Sequence, residues 1–297
     1  MNPFLLCIRL AGVLALLIPV SLYADAVTVR DDTGHEITLP APARRIISLA
    51  PHITEMIFRA GAGKYLIAVV DHSDFPAAAK ALPRVGGHNR IDLETIVTLE
   101  PDLIIGWQGG NRNSELERIR DLGLVLYLTE PRQLDDIPRH IENIGRLAGT
   151  PIQANNAADS YRNSLTRLER SYKPEELVAT FYQIWHQPLM TVNARHMIGQ
   201  VIEFCGGRNV YADLAVEVPT VSTESVLEAD PELIIAGGSA GSRDDWFAQW
   251  KQWPAMQAVA GGNMVFINPD IVQRQGPRIT QGVKEICEIM ERVRNKR

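Results

Sequence analysis

Two stretches of this 297-residue chain repeat each other at one constant offset. Asp92 to Gly106 reads DLETIVTLEPDLIIG, and Ser222 to Ala236 reads STESVLEADPELIIA. Glu94 matches Glu224, Pro101 matches Pro231, and Leu103-Ile104-Ile105 matches Leu233-Ile234-Ile235. Each copy is an amphipathic run, an acid–Pro–acid break and an apolar run of strand length, followed by glycines. That sequence of signals describes a helix, a turn and a buried parallel strand opening into a loop. One unit in each half implies an α/β chain of two lobes, each a mainly parallel sheet with flanking helices. Ligands bind in the loops at the carboxyl ends of such strands, so two facing lobes imply a site at their seam.

The length suits two domains of roughly 100–150 residues each. A net charge of −5 leaves no basic footprint for nucleic acid. The N-terminus reads as an export signal: Arg9, an apolar run over residues 10–20, then small and polar residues ending Ala24-Asp25-Ala26. The apolar run is about half the ~20 residues a spanning helix needs. Cys7 leaves with the signal and precedes the apolar run, so it cannot be a lipid anchor at the cleavage point. Cys205 and Cys287 remain. In an exported protein an even pair is most simply a disulfide, two separate buried thiols being the alternative.

Residues 27–39 read as a hairpin turning at Asp32-Thr33-Gly34. Beyond it, strands over 46–49, 66–70, 102–105 and 124–128 alternate with helices over 51–60, 114–122 and 135–148. Thr150-Pro151 starts a helix that meets no internal Gly or Pro as far as about Tyr172. At 1.5 Å per residue it is roughly 33 Å long, a stiff connection between lobes. The pattern then restarts, with strands over 177–184, 233–236 and 264–267 and helices over 197–205, 245–253 and 277–293. The expected division is a signal over 1–26, an N-terminal lobe over 27–149, a linking helix over 150–173 and a C-terminal lobe over 174–297.

Catalytic signatures are weak. Gly237-Gly238-Ser239-Ala240-Gly241 fits the G-x-S-x-G serine elbow. That chemistry needs an acid and then a histidine downstream, but the last histidine is His196, upstream. The repeat carries no serine at the matching place. The segment therefore reads as a glycine-rich loop, and a secreted α/β hydrolase using Ser239 is the alternative from another class. His35 lies in the hairpin and His140 on a helix; His52, His72, His88, His186 and His196 lie at or near strand ends. None has H-x-H or H-E-x-x-H spacing, so no metal site is expected. Phe75, Trp107 and Trp185 fall where loops would face a cleft, and aromatic rings supply large contact area there. Trp246, Trp250 and Trp253 have near-helical spacing and read as packing residues.

From about Arg45 onward, the segments RIISLAPHITEMIFRAGA, SDFP, LEPDLIIGWQGGN, VIEFCGGRNVYAD and GPRI resemble those of the periplasmic substrate-binding proteins of bacterial ABC importers for corrinoids, siderophores and haem. Within that class, whose members have a rigid interdomain helix, the likeness is greatest to the cobalamin carriers. The resemblance implies ligand held between two lobes, no catalysis, no cofactor, a Cys205–Cys287 disulfide and small lobe motion on binding. It implies a periplasmic monomer that delivers a corrinoid to an inner-membrane permease. The contacts it carries over are Pro51, His52, Ser73, Asp74, Phe75, His88, Trp107 and Gly109 from the first half, and Trp185, Asp270 and Arg274 from the second. Cobalamin carriers have tryptophan where Val218 and Ile271 stand here, and at or near His88, so this aromatic lining is thinner. A ferric siderophore or haem is therefore the alternative ligand, and His52 or His88 is a candidate to meet a metal centre in it. The class docks on its permease through one exposed acid per lobe. The repeat offset pairs Glu115 with Asp245, each near a helix start, where acids are also favoured by the helix dipole alone.

Overall fold

The computed structural model describes residues 26–87, 90–172, 176–238 and 243–297, the side chains of 243–245 apart. His88, Ser239 and all but the last residue of the export signal lie outside the described residues. In the first half, β1 (Val27–Arg30) and β2 (Glu36–Leu39) form an antiparallel hairpin. There follow β3 (Ile46–Ser48), α1 (Pro51–Arg59), β4 (Leu66–Val69), β5 (Gly86–Gly87), β6 (Arg90–Ile91) and α2 (Leu93–Thr98). The half closes with β7 (Leu103–Trp107), α3 (Asn113–Asp121), β8 (Leu126–Thr129) and α4 (Asp136–Ala148). Helix α5 (Pro151–Ser171) leads to β9 (Val178–Gln183), α6 (Met197–Phe204), β10 (Gly207–Asn209), α7 (Thr223–Ala229) and β11 (Leu233–Ala236). Then come α8 (Arg243–Lys251), α9 (Gln257–Ala260), β12 (Met264–Phe266), α10 (Pro269–Val272) and α11 (Ile279–Arg294).

Two parallel sheets result, in the orders β4-β3-β7-β8 and β10-β9-β11-β12. Counted within its own half, each runs second, first, third, fourth, so the repeat strands β7 and β11 hold the same inner place. The repeated letters act alike in both halves. Asp92 and Ser222 cap α2 and α7, their side chains accepting from Thr95 N at 3.0 Å and Ser225 N at 3.1 Å. Glu100 and Asp230, just before the prolines, both turn through positive φ (43° and 39°). The acid after each proline ties the third strand to the first. Asp102 Oδ2 accepts the amides of Arg44 and Arg45 at 2.7 and 2.9 Å, and Glu232 Oε2 accepts that of Ala179 at 2.8 Å.

Alternation along the repeat strands distributes the core. Leu103, Ile105, Leu233 and Ile235 all enter one central apolar cluster, together with residues of α1, α4, α5, α6, α10 and α11. Ile104 and Ile234 face separate outer clusters, one per lobe. The central cluster thus belongs to both halves. Helix α5 presents Ala154, Tyr161 and Leu165 to it, a stripe at helical spacing. It lies close against α4: a Cβ on Gly145 would come 2.1 Å from that of Ala154. Gly149, at φ 67°, turns the chain from one helix into the next. Cys205 and Cys287 form a disulfide that pins α11 to the end of α6.

The expected strands and helices appear with ends displaced by about two residues or fewer, the usual fraying. Strand β10 has no counterpart in the sequence reading, because Gly207-Arg208-Asn209 carries no apolar alternation; it is recruited as an edge by pairing with β9. Trp246 and Trp250 are core residues, whereas Trp253 is 45% exposed and does not pack as expected.

Candidate functional site

The strand order of each sheet reverses beside its first strand, and the crevice beyond the carboxyl ends at that point is the usual ligand position. In the first lobe the loops after β3, β4 and β7 meet there. They enclose a cavity of about 110 Å³ lined by Pro51, His72, Trp107 and Asn111 among others. Asn111 holds two of the loops together: its Oδ1 accepts from Trp107 N at 2.7 Å and its Nδ2 donates to Leu49 O at 3.0 Å. Trp107 is half-buried, lies edge-on to His52 with ring centroids 5.0 Å apart, and crowds Gly110 so closely that a Cβ there would fall 1.9 Å from the ring. The residue before that glycine, Gly109, is exposed, and its amide donates to Glu130 Oε2 at 2.6 Å.

His52 is buried rather than presented to the cleft, and burial depresses its pKa to about 3, so it is neutral. Its far side backs onto Gly276 of the second lobe, where a Cβ would come 3.1 Å from His52 Cβ. Ser73 is also buried. Its hydroxyl and the Trp107 indole N–H have no hydrogen-bond partner among the described residues.

The second lobe contributes Trp185, 55% exposed just beyond β9, whose Nε1 donates to Gln187 O at 3.0 Å. Its ring meets the edge of Trp246, on which His186 stacks. Asp270 and Arg274 lie on and just after α10, joined at 3.0 Å. Arg274 then crosses to the first lobe, donating to Asp74 Oδ1 at 2.7 Å and approaching Glu55 Oε1 at 3.5 Å. That contact holds the Asp74 carboxyl below its usual range. Beside it, Arg278 donates Nε and Nη2 to both oxygens of Glu55 at 2.9 and 2.7 Å and covers the Phe75 ring at 4.3 Å. The structure therefore gathers Asp74, Phe75, Asp270 and Arg274 into one interlobe cluster, while Pro51, His52 and Trp107 meet at the first-lobe cavity and Gly109 is held by Glu130.

Glu55 and Arg278 are missing from the sequence-derived set. Glu55 is only 2% exposed. Its signal was an acid inside the apolar run of α1, and Arg278 sits within GPRI. The cluster has three carboxylates against two guanidiniums, so neither arginine is free for an anionic ligand. Of the docking candidates, Glu115 is half-buried and its Oε1 accepts from Ile91 N at 3.0 Å. The side chain of Asp245 is outside the described residues, as is His88. By contrast Glu94 and Glu224, the repeat-matched acids in the first turns of α2 and α7, are both exposed. Among the described residues no group of three metal-ligating side chains assembles, and no helix is long and apolar enough to cross a membrane.

Residues 46–271 match the family model of the periplasmic binding proteins. The vitamin B12-binding protein of Vibrio parahaemolyticus is 38% identical over 256 residues, covering 86% of this chain and 92% of that one. The vitamin B12-binding protein of Yersinia pestis (strain Pestoides F) is 34% identical over 255 residues, covering 86% and 89%. The crystal structure of the periplasmic vitamin B12-binding protein BtuF of Vibrio cholerae superposes with a TM-score of 0.79 at 35% identity, over 85% of this chain and 98% of that one. A periplasmic haem-binding protein of Roseiflexus, RhuT, shares the fold at 22% identity and a TM-score of 0.74. Two like-ordered parallel sheets around one shared core, a cleft of loops between them, and these matches across nearly the whole length agree: the chain belongs to the periplasmic binding protein family.

Proposed function

We propose that this chain is the solute-binding component of an ABC importer, which captures a corrinoid between its lobes and hands it to a membrane permease. The observation that carries the reading is the 38% identity to a vitamin B12-binding protein over 92% of that protein's length. The charge of the cleft supports it. Haem and ferric siderophores bring anionic groups that want unpaired cations, but Arg274 and Arg278 are already neutralised by Glu55, Asp74 and Asp270. A corrinoid instead offers a broad face rimmed by amides. Trp107, Trp185 and Pro51 supply contact area. The protein acts without making or breaking a bond. Residues 1–26 direct it to the periplasm, where it works as a monomer of two lobes, 27–149 and 174–297, linked by 150–173.

Calorimetric titration with cobalamin, cobinamide, haem and a ferric siderophore tests the ligand. The corrinoids are expected to saturate at one per chain with at least about tenfold tighter binding than the others, a margin of about 1.4 kcal/mol. Tighter binding of haem would reassign the cargo. For the permease, the exposed pair Glu94 and Glu224 joins Glu115 and Asp245 as a candidate, the Glu115 carboxylate already holding the β6 amide. Helices in such units run antiparallel to the strands, so the α2 and α7 N-termini lie level with the loops of the cleft. Reversing both charges of that pair is expected to slow uptake into permease-bearing vesicles while cobalamin affinity stays as it was. Unchanged uptake would remove the pair from consideration.

A further inference from the structure

The N-terminal hairpin lies outside the residues matched by the family model, yet it reaches the ligand loop through a chain of contacts. Asp32, at the turn of the hairpin, is drawn under the end of β8. Its amide donates to Leu128 O at 3.1 Å. Its Oδ2 accepts the amide of Glu130 at 2.5 Å and lies 2.8 Å from His140 Nε2, while its Oδ1 accepts from Arg139 Nη1 at 2.7 Å. His140 is fully buried, and its other ring nitrogen contacts the Tyr127 hydroxyl, which in turn accepts from Asn143 Nδ2. Asp32 is thus held from three sides, and it fixes the backbone from which the Glu130 side chain projects.

That side chain turns back to the loop after β7. Its Oε2 takes the amide of Gly109, and a Cβ at Gly109 would lie 2.7 and 2.8 Å from the two carboxylate oxygens. A side chain at 109 would push the carboxylate out of this approach. The neighbouring backbone is tied to the same strand end, Gln108 N donating to Thr129 O at 3.0 Å. Gly110 lies so close to the Trp107 ring that a Cβ there would overlap it. Whatever holds Gly109 therefore also limits how that ring can move.

We infer that Glu130 is a positioning residue for the ligand site: held by Asp32 of the hairpin, it clamps the Gly109 amide and so keeps Trp107 preset as a contact face. The inference rests on the corrinoid reading for its consequence in binding. Presetting an aromatic face lowers the ordering cost of association. A charge-assisted bond to a backbone amide is the strong kind of hydrogen bond.

The test compares Glu130→Ala, Glu130→Gln and wild type by amide hydrogen exchange over residues 107–111 without ligand, and by cobalamin titration. Glu130→Ala is expected to exchange faster in that loop and to bind cobalamin about tenfold more weakly, mostly through a faster off-rate, the scale of one such bond. Glu130→Gln, whose amide oxygen can still accept, is expected to restore most of both. Gly109→Ala, which sets a methyl against the carboxylate, is expected to weaken binding by itself but to add little once Glu130 is alanine. Unchanged loop exchange in Glu130→Ala overturns the inference, as does faster exchange with wild-type affinity. A wild-type chain that ignored cobalamin would sink the corrinoid reading instead, while the exchange comparison still decided the clamp.

Discussion

At the scale of single residues, the buried charges and the buried imidazole govern how this protein answers acid. Burial holds His52 neutral with a pKa near 3 against 6.5 when exposed. The unfolded chain therefore takes up a proton below about pH 6.5 that the folded chain refuses, and stability falls by roughly 1.4 kcal/mol per pH unit from there down to about 3. His52→Phe, with a ring of similar shape and no charge to gain, is expected to flatten this limb in urea melts run from pH 7 to 4. A slope identical to wild type would show that His52 is not the titrating group. Asp32 works in a lower window. Burial opposes its charge, but His140, Arg139 and the Glu130 amide outweigh that and bring it down to about 2. Its contribution is whole above pH 3.8 and fades only as the pH falls toward 2. Glu55 is the opposite hazard: with its carboxylate removed, Arg278 stays half-buried without a counterion. Glu55→Ala is expected to cost about 3 kcal/mol in chemical denaturation, whereas Glu55→Met with Arg278→Met should recover much of it. None of these partnerships was legible in the sequence, because each joins positions far apart along the chain: Glu55 to Arg278, Asp32 to His140, Gly109 to Glu130.

Among the elements, the repeated unit was legible because its letters state local physics. The cap, the proline break and the apolar triplet each dictate backbone within a few residues, and the second acid of the break binds the first strand in both lobes. Helix α5 was legible from its start at Thr150-Pro151 and its unbroken run. Its partner was not, since the facing Gly145 and Ala154 are ordinary small residues until packed. That crossing has no spare room. Gly145→Leu is expected to force the two helices apart and lower stability by about 2 kcal/mol, the scale of an overpacked core, while leaving the disulfide in the second lobe intact. The site was legible only where strand ends announced it. Trp107 and Trp185 follow directly from the ends of β7 and β9, whereas Asp270 and Arg274 needed the family resemblance, and Glu55 needed the fold.

For the whole molecule, the central apolar cluster is the governing feature. It draws on both sheets and on six helices, α5 among them, and the ionic cluster of Glu55, Asp74, Arg274 and Arg278 spans the same seam. Scattering curves recorded with and without cobalamin are accordingly expected to superpose; a clear compaction on binding would contradict a seam held this firmly. Reduction of Cys205–Cys287, which closes a loop of 82 residues, should cost roughly 4.5 kcal/mol in the chain-entropy model. The shared cluster also bears on departure. A carrier whose jaws cannot gape on their own must keep its guest until something outside pries or displaces it. Unloading is then an act of the receiver, and in free solution the loaded form should be long-lived, letting go slowly even after every unbound corrinoid has been dialysed away.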